Sequence, residues 1–291
     1  MALFLWMSAA LASFCILAVG ARELTEALSI AQSLTIRSAI GLLILSAIYL
    51  FRARYINKTQ LSQPVNERVK ALKLHLFRNT FHFLAQYGWF FGIASLPLAE
   101  VFALEFTVPI WTLLIASIFL NEKVTVHKLI AICLGTIGVL IIVQPGYAII
   151  DGAAMVVLGS AVCFALSHTS TKSLAKVDSP LTILLFMCLI QLPIGLALSV
   201  STWVWPKPEQ WLWLWVIGVS ALSAHYCLAK AMQFAEVTTI ITLDFFRLPL
   251  IGIIGVVLYN EAFELPLLIG AAVMLVGNLI GVRGMKSASV E

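Results

Sequence analysis

Apolar stretches of roughly helical membrane length recur along the chain, at 2–19, 33–51, 75–95, 99–120, 128–143, 153–171, 181–201, 212–232, 237–259 and 265–282. A helix rises about 1.5 Å per residue, so about 20 residues cross a hydrocarbon core about 30 Å thick. The pattern predicts ten transmembrane helices. Strands of a membrane barrel would alternate apolar and polar side chains, whereas runs such as LIAICLGTIGVLII are apolar on every side and suit a helix. The first run has no basic residues ahead of it and is read as a retained span rather than a signal peptide. Leu96-Pro97, Pro145-Gly146, Asp178-Ser179-Pro180 and Asn260-Glu261 punctuate short connections, so successive helices are expected to be antiparallel neighbours.

Composition removes the soluble alternative. Hydrophobic residues make up 61% of 291 positions, against 18 basic and 14 acidic residues. So much apolar surface does not fit inside one core of this size. The formal charge of +4 follows topology rather than an acidic partner. With the amino terminus in the cytoplasm, thirteen basic residues lie on that side, from Arg52 to Lys73 and at Lys123, Lys128, Lys172, Lys176, Lys230, Arg283 and Lys286. Only Arg22 and Lys207 fall outside, and Arg37, Arg78 and Arg247 lie within spans. This asymmetry predicts a multi-pass cell-membrane protein, in a bacterium the inner membrane, with both termini cytoplasmic. Nucleic-acid binding is excluded by the same distribution.

Cys15, Cys133, Cys163, Cys188 and Cys227 sit in apolar runs without C-x-x-C spacing and are expected to be small core residues. No metal or cofactor is expected. Trp203, Trp205, Trp211, Trp213 and Trp215 surround one outer loop and are read as an interfacial aromatic belt.

Shifting the chain by 139 residues pairs Tyr87 with Tyr226, Glu105 with Asp244, Phe106 with Phe245, Asn121 with Asn260, Glu122 with Glu261 and Gly138 with Gly277. Aliphatic matches arise easily by chance; two acidic pairs and a tyrosine in one register do not. The chain reads as a duplication. Five spans per half is an odd number, so the second half enters the membrane from the opposite side. The fold expected is an all-α integral membrane protein of ten helices in two inverted-topology repeats, residues 1–144 and 145–291. Two such halves can open a central site to one face and then the other.

The stretch EFTVPIWTLLIASIFLNEKVTVHKLIAICLGTIGVLIIVQPG, and its second copy DFFRLPLIGIIGVVLYNEAFELPLLIGAAVMLVGNLIG, resemble the EamA type of the drug/metabolite transporter superfamily. Arg37 in the second span matches an arginine common there. The resemblance covers essentially the whole chain and implies a ten-helix carrier of small metabolites with a central cavity. Two departures stand out: Asn121 and Asn260 precede the turn acid where Gly is frequent, and Asp244-Phe-Phe-Arg247 is unusual and suggests a subfamily with its own substrate class.

Ionisable groups inside a span are costly and normally face the protein interior. Glu105, Asp244 and Arg247 are therefore candidates for a central site, the carboxylates holding a substrate amine or a coupling proton and Arg247 a substrate carboxylate. The alternative is that Asp244 and Arg247, three residues apart, neutralise one another. Arg37 either serves the site or ties helix ends together. Asn79, His82, Gln86 and Trp89 or Phe90 share one helical face, which either lines a cavity or bonds to neighbouring helices. His82 is also a candidate proton relay, with His168 and His225 read likewise. Tyr87, Trp111 and Tyr226 lie at similar depths and offer faces to a cation, or simply pack. Pro109 and Pro249 are candidate hinges, because each removes a backbone hydrogen bond. Glu122 and Glu261 mark solvated turns or interhelical bonds. Small-residue stripes on the sixth and eighth spans, and glycines on the fifth and tenth, fit close helix packing or a dimer contact.

The function expected is a secondary-active carrier of a small, amino-acid-like or zwitterionic metabolite, working by alternating access with or without a proton. A facilitative exchanger or exporter of nucleotide-derived or vitamin-like metabolites is the alternative, and a sensor or channel the alternative of another class. H-E-x-x-H, G-x-S-x-G and Walker sequences are absent, so an enzyme is not expected. The partners expected are a small-molecule substrate and the lipid bilayer, with the chain a monomer or homodimer.

Overall fold

The computed structural model describes residues 2–24, 28–53, 65–96, 101, 104–105, 107–143, 152–259 and 265–288. Within them every regular element is a helix, and there are no strands. The helices are α1 (Ala2–Leu24), α2 (Ile30–Ala53), α3 (Val65–Ser95), α4 (Val108–Phe119), α5 (Val126–Val143), α6 (Gly152–Leu174), α7 (Pro180–Ser199), α8 (Pro208–Ala231), α9 (Val237–Leu243), α10 (Arg247–Tyr259) and α11 (Leu265–Ala288). Five are long and apolar enough to cross a membrane, namely α1, α2, α6, α7 and α8; shorter apolar segments lie in α4, α5 and α11. Several helices run past their apolar stretches. Thus α2 reaches Ala53 and α3 begins at Val65, because a helix satisfies its own backbone and has no reason to stop where the apolar run stops.

The packing partners are distant in sequence. α1 lies against α8, α2 against α7, α3 against α6, and α5 against α11. α4 packs on α6 and α9. The glycines set the closest of these approaches. A Cβ on Gly138 would stand 2.7 Å from the Gly270 carbonyl oxygen, and one on Gly277 would stand 2.8 Å from the Leu134 Cβ. These glycines therefore serve a contact within one molecule, between α5 and α11. Small residues act similarly elsewhere: Ser13 Oγ donates to Ser223 Oγ at 2.9 Å across α1 and α8. Bringing helices this close gains dispersion contacts where lipid offers no hydrophobic driving force.

The cysteines are unpaired, and their placement corrects one expectation. Cys15, Cys188 and Cys227 are buried and Cys163 is partly so, but Cys133 is exposed. In a membrane helix the outer face is as apolar as the inner one, so an apolar run does not mark burial. Between α7 and α8, Trp205 is 78% exposed and Trp203 meets it edge-on, with ring centroids 6.2 Å apart.

One turn organises the end of the bundle at which α4 stops and α9 starts. Asn121 has φ of 53°, the left-handed region that Gly and Asn tolerate best, which explains why either residue suits the position before the acid. The turn aims Glu122 inward, where it is buried. Its Oε1 accepts from the Val237 N–H at 2.9 Å and its Oε2 from the Thr238 hydroxyl at 2.8 Å. The N–H groups at the start of α9 have no partners within that helix, so a carboxylate there satisfies them and suits the helix dipole. Lys128 Nζ, 2.6 Å from Glu236 and 3.6 Å from Glu122, adds the counter-charge. Glu122 is thus an interhelical bond; Glu261 lies outside the described residues. Glu122→Ala removes the charged acceptor from this helix start and is expected to cost about 2–3 kcal/mol of stability. A lowered unfolding temperature in detergent, largely restored by Glu122→Gln, is the expected outcome; an unchanged midpoint would refute it.

Candidate functional site

The ninth apolar stretch is not one helix. α9 ends at Leu243, Asp244–Phe246 form a single 3-10 turn, and α10 restarts at Arg247 with Pro249 in its first turn. Proline is tolerated in a helix's first turn, where its fixed φ suits the start. The fourth stretch behaves alike: Glu105 precedes a turn at Thr107, and α4 then begins at Val108 with Pro109 in its first turn. Each proline therefore restarts a helix after a break instead of bending a continuous one. Each break carries an acid.

The two acids meet. Arg247 Nη2 lies 3.0 Å from Asp244 Oδ2, and the same nitrogen pairs with Glu105 Oε1. Trp89 Nε1 donates to Glu105 Oε2 at 2.7 Å. The guanidinium also lies over the Phe14 ring, 5.4 Å from its centroid, a distance at which ring and cation attract. The local neutralisation weighed for Asp244 and Arg247 is present, and Glu105 adds a second carboxylate from another segment. Gly135 gives this turn its seat: a Cβ there would come within 2.2 Å of the Phe245 ring, whose neighbour is Asp244.

These groups border a cavity enclosing about 820 Å³ of non-atom space, its mouth included. Glu105, Asp244 and Arg247 line it together with Gln86, Arg37 and Pro109. Phe14, Trp89, Phe90, Phe164, His168 and His225 supply ring faces. Arg37 is only 4% exposed, and its Nη2 donates to Gln86 Oε1 at 2.7 Å and Gln191 Oε1 at 2.8 Å. Among the described residues it has no carboxylate partner. It both ties α2 to α3 and α7 and presents a guanidinium to the cavity.

The remaining candidates separate. His82 is buried beside the site, its Nδ1 accepting from Gln191 Nε2 at 2.7 Å, and its ring meets His225 edge-on at 4.6 Å. Asn79 is buried in the α3 framework, its Nδ2 donating to the His75 carbonyl at 2.8 Å and its Oδ1 accepting from Arg78. Tyr87 is placed away from the cavity, 38% exposed and beside Phe83 on the flank of α3. Trp111 donates through Nε1 to the Thr107 hydroxyl at 3.2 Å and packs near Met7 and Val108. Tyr226 meets the edge of Trp6, with ring centroids 5.9 Å apart. None of these last three lines the cavity. Phe106 lies outside the described residues. The offset pairs Tyr87 with Tyr226 and similar depth groups Trp111 with them, but depth does not fix which side of a helix faces inward. Gln191 was missed. Its signal was a lone amide in LLFMCLIQLPIGL, where an unpartnered polar group would be expensive.

A bundle of apolar helices that gathers two carboxylates and a guanidinium beside a shared cavity fits a multi-pass membrane protein. The model of the EamA-like transporter family matches residues 1–144 and again 152–282, and the chain belongs to that family. It is 29% identical over 210 residues to a riboflavin transporter of Rhizobium johnstonii, covering 72% of this chain and 70% of that protein. A riboflavin transporter of Brucella anthropi is 28% identical over 243 residues, 79% of this chain and 86% of its own length. An S-adenosylmethionine uptake transporter of Rickettsia bellii is 20% identical over 215 residues, 74% of each chain. A solved crystal structure superposes with a TM-score of 0.77 over 96% of both chains at 19% identity, and so shares the fold.

Removing the mostly buried guanidinium leaves two carboxylates facing one another. Arg247→Leu is expected to lose about 3–5 kcal/mol of stability, seen as reduced folded yield in detergent. Arg247→Leu combined with Glu105→Gln and Asp244→Asn is expected to recover much of it; no recovery would show that the charges are not the cause. Gly135→Val is expected to displace Phe245 and lower solute uptake about tenfold or more, while a cavity-remote Gly159→Val, in open space, leaves uptake unchanged.

Proposed function

We propose that this chain is a carrier that moves a small organic metabolite across the bacterial inner membrane by alternating access around the central cavity. The carrying observation is the convergence of two broken helices, at Glu105 and Asp244, on one guanidinium beside that cavity. Two interrupted helices bring side-chain charge to one depth, which favours a polar solute in an otherwise apolar medium. The proposed site consists of Glu105, Asp244 and Arg247 with Gln86 and Arg37. A substrate cation would compete with Arg247 for the two carboxylates, while Arg37, held only by amides, would take a substrate anion. A zwitterion satisfies both.

The architecture proposed with it is ten crossings in two inverted halves, both termini cytoplasmic. Exchange of the first and sixth, second and seventh, third and eighth, fourth and ninth, and fifth and tenth stretches converts the α1–α8 contact into α6–α3. The same exchange returns the second–seventh, fourth–ninth and fifth–tenth contacts to themselves, which is what a two-fold relation requires. In this reading Pro109 and Pro249 mark hinges, and Glu122 with Lys128 and Lys172 closes the cytoplasmic side. Lys172 Nζ donates to the Met232 carbonyl at 2.6 Å across that side. Glu105 and Asp244 are the groups that would carry a coupling proton.

A second reading, transport of a vitamin-like or nucleotide-derived metabolite, is favoured by the ring-rich wall and by the names of the relatives. Purified protein in liposomes tests the carrier. Uptake of a labelled metabolite is expected to saturate, and Glu105→Gln or Asp244→Asn to reduce it at least about tenfold at unchanged folded yield. Normal uptake by both variants would remove the site assignment, and equal uptake with and without a pH gradient would remove proton coupling.

A further inference from the structure

Where His225 lines the cavity, with His82 buried against it, three ring nitrogens are left over. His82 Nε2 and both ring nitrogens of His225 are buried and have no hydrogen-bond partner. A buried orphan of this kind is costly, and a cluster of them calls for an occupant. The neighbouring bonds fix what the occupant must offer. An arginine only donates, so Arg37 holds the oxygens of Gln86 and Gln191 toward itself. The amide nitrogen of Gln191 is thereby turned to His82 and donates to Nδ1 at 2.7 Å. Nδ1 is then a lone pair, and a neutral His82 carries its proton on Nε2. That nitrogen, buried and without a partner, is a donor. His225, 4.6 Å away and edge-on, adds one donor and one acceptor. Phe14 meets His225 at 5.5 Å, and Phe164 and His168 stack at 6.0 Å, both pairs lining the cavity.

We infer that this part of the cavity is a subsite for the edge of a planar heteroaromatic ring, one carrying an acceptor and a donor side by side as in a lactam, imide or amidine. The inference rests on the carrier reading and deepens it by naming the substrate class. Uncharged imidazoles among aromatic rings match such an edge better than they match a carboxylate or an ammonium group. The charged trio of Glu105, Asp244 and Arg247 then meets the polar tail of the same solute. A solute with a ring at one end and polar or charged groups at the other fills both.

The test is titration of the purified full chain in detergent with riboflavin and with adenosine, with lysine as the aliphatic zwitterion, read by calorimetry. The heterocycles are expected to bind. His225→Phe keeps a ring of similar size without nitrogens and should weaken that binding about tenfold or more, whereas His225→Asn should stay within about threefold. Neither change should alter the response to lysine. Equal binding of the heterocycles by wild type and His225→Phe overturns the subsite, as does failure of both to bind folded wild type; water alone then occupies the orphans. Should His225→Phe not fold, His82→Phe answers the same question. Heterocycle binding without any solute movement in liposomes would sink the carrier reading and leave the subsite standing. Movement of lysine without heterocycle binding would do the reverse.

Discussion

The structure turns on one guanidinium. Arg247 holds Asp244 from its own segment and Glu105 from another, inside a molecule whose surroundings are apolar. In such a medium an unpaired charge is costly, so the two broken segments are bound to one another through this residue. The rest follows from accommodating it. Pro109 and Pro249 restart helices just beyond the breaks, Trp89 satisfies the second oxygen of Glu105, and Gly135 leaves room for the ring beside Asp244.

Around that trio a second polar chain runs from the Arg37 guanidinium through side chains without formal charge. Arg37 orients two glutamines, one glutamine orients His82, and His82 stands against His225. Orientation passes along it because each member has a fixed set of donors and acceptors. The cavity consequently has a charged wall and a neutral, ring-lined wall. Membership of the EamA-like transporter family supplies the context in which such a chamber has a use.

Other features serve the frame. Glycine contacts at Gly138 and Gly277 draw α5 and α11 together, and Glu122 closes the start of α9. Both devices put small or charged residues where a membrane helix would otherwise carry bulky apolar ones. That is why they stand out in a chain that is 61% hydrophobic.

Helical character, apolar spacing and the family were legible along the chain because each is a one-dimensional pattern: run length, polar punctuation and an offset of 139 that aligns Glu105 with Asp244. The costliness of charge in a span also pointed to Glu105, Asp244 and Arg247 before any contact was known. Which residues touch was decided only by the fold. Tyr87 and Tyr226 share the offset yet leave the cavity to Phe14 and Phe164, since the direction a helix faces depends on its neighbours rather than on its own residues. Cys133 looks like Cys188 in sequence and is exposed all the same. Gln191 gained its meaning only when α7 brought it between Arg37 and His82. In lipid the inside and outside of a helix are equally apolar, so one-dimensional hydropathy fixes where the chain crosses, and only packing tells which face of each crossing meets the solute.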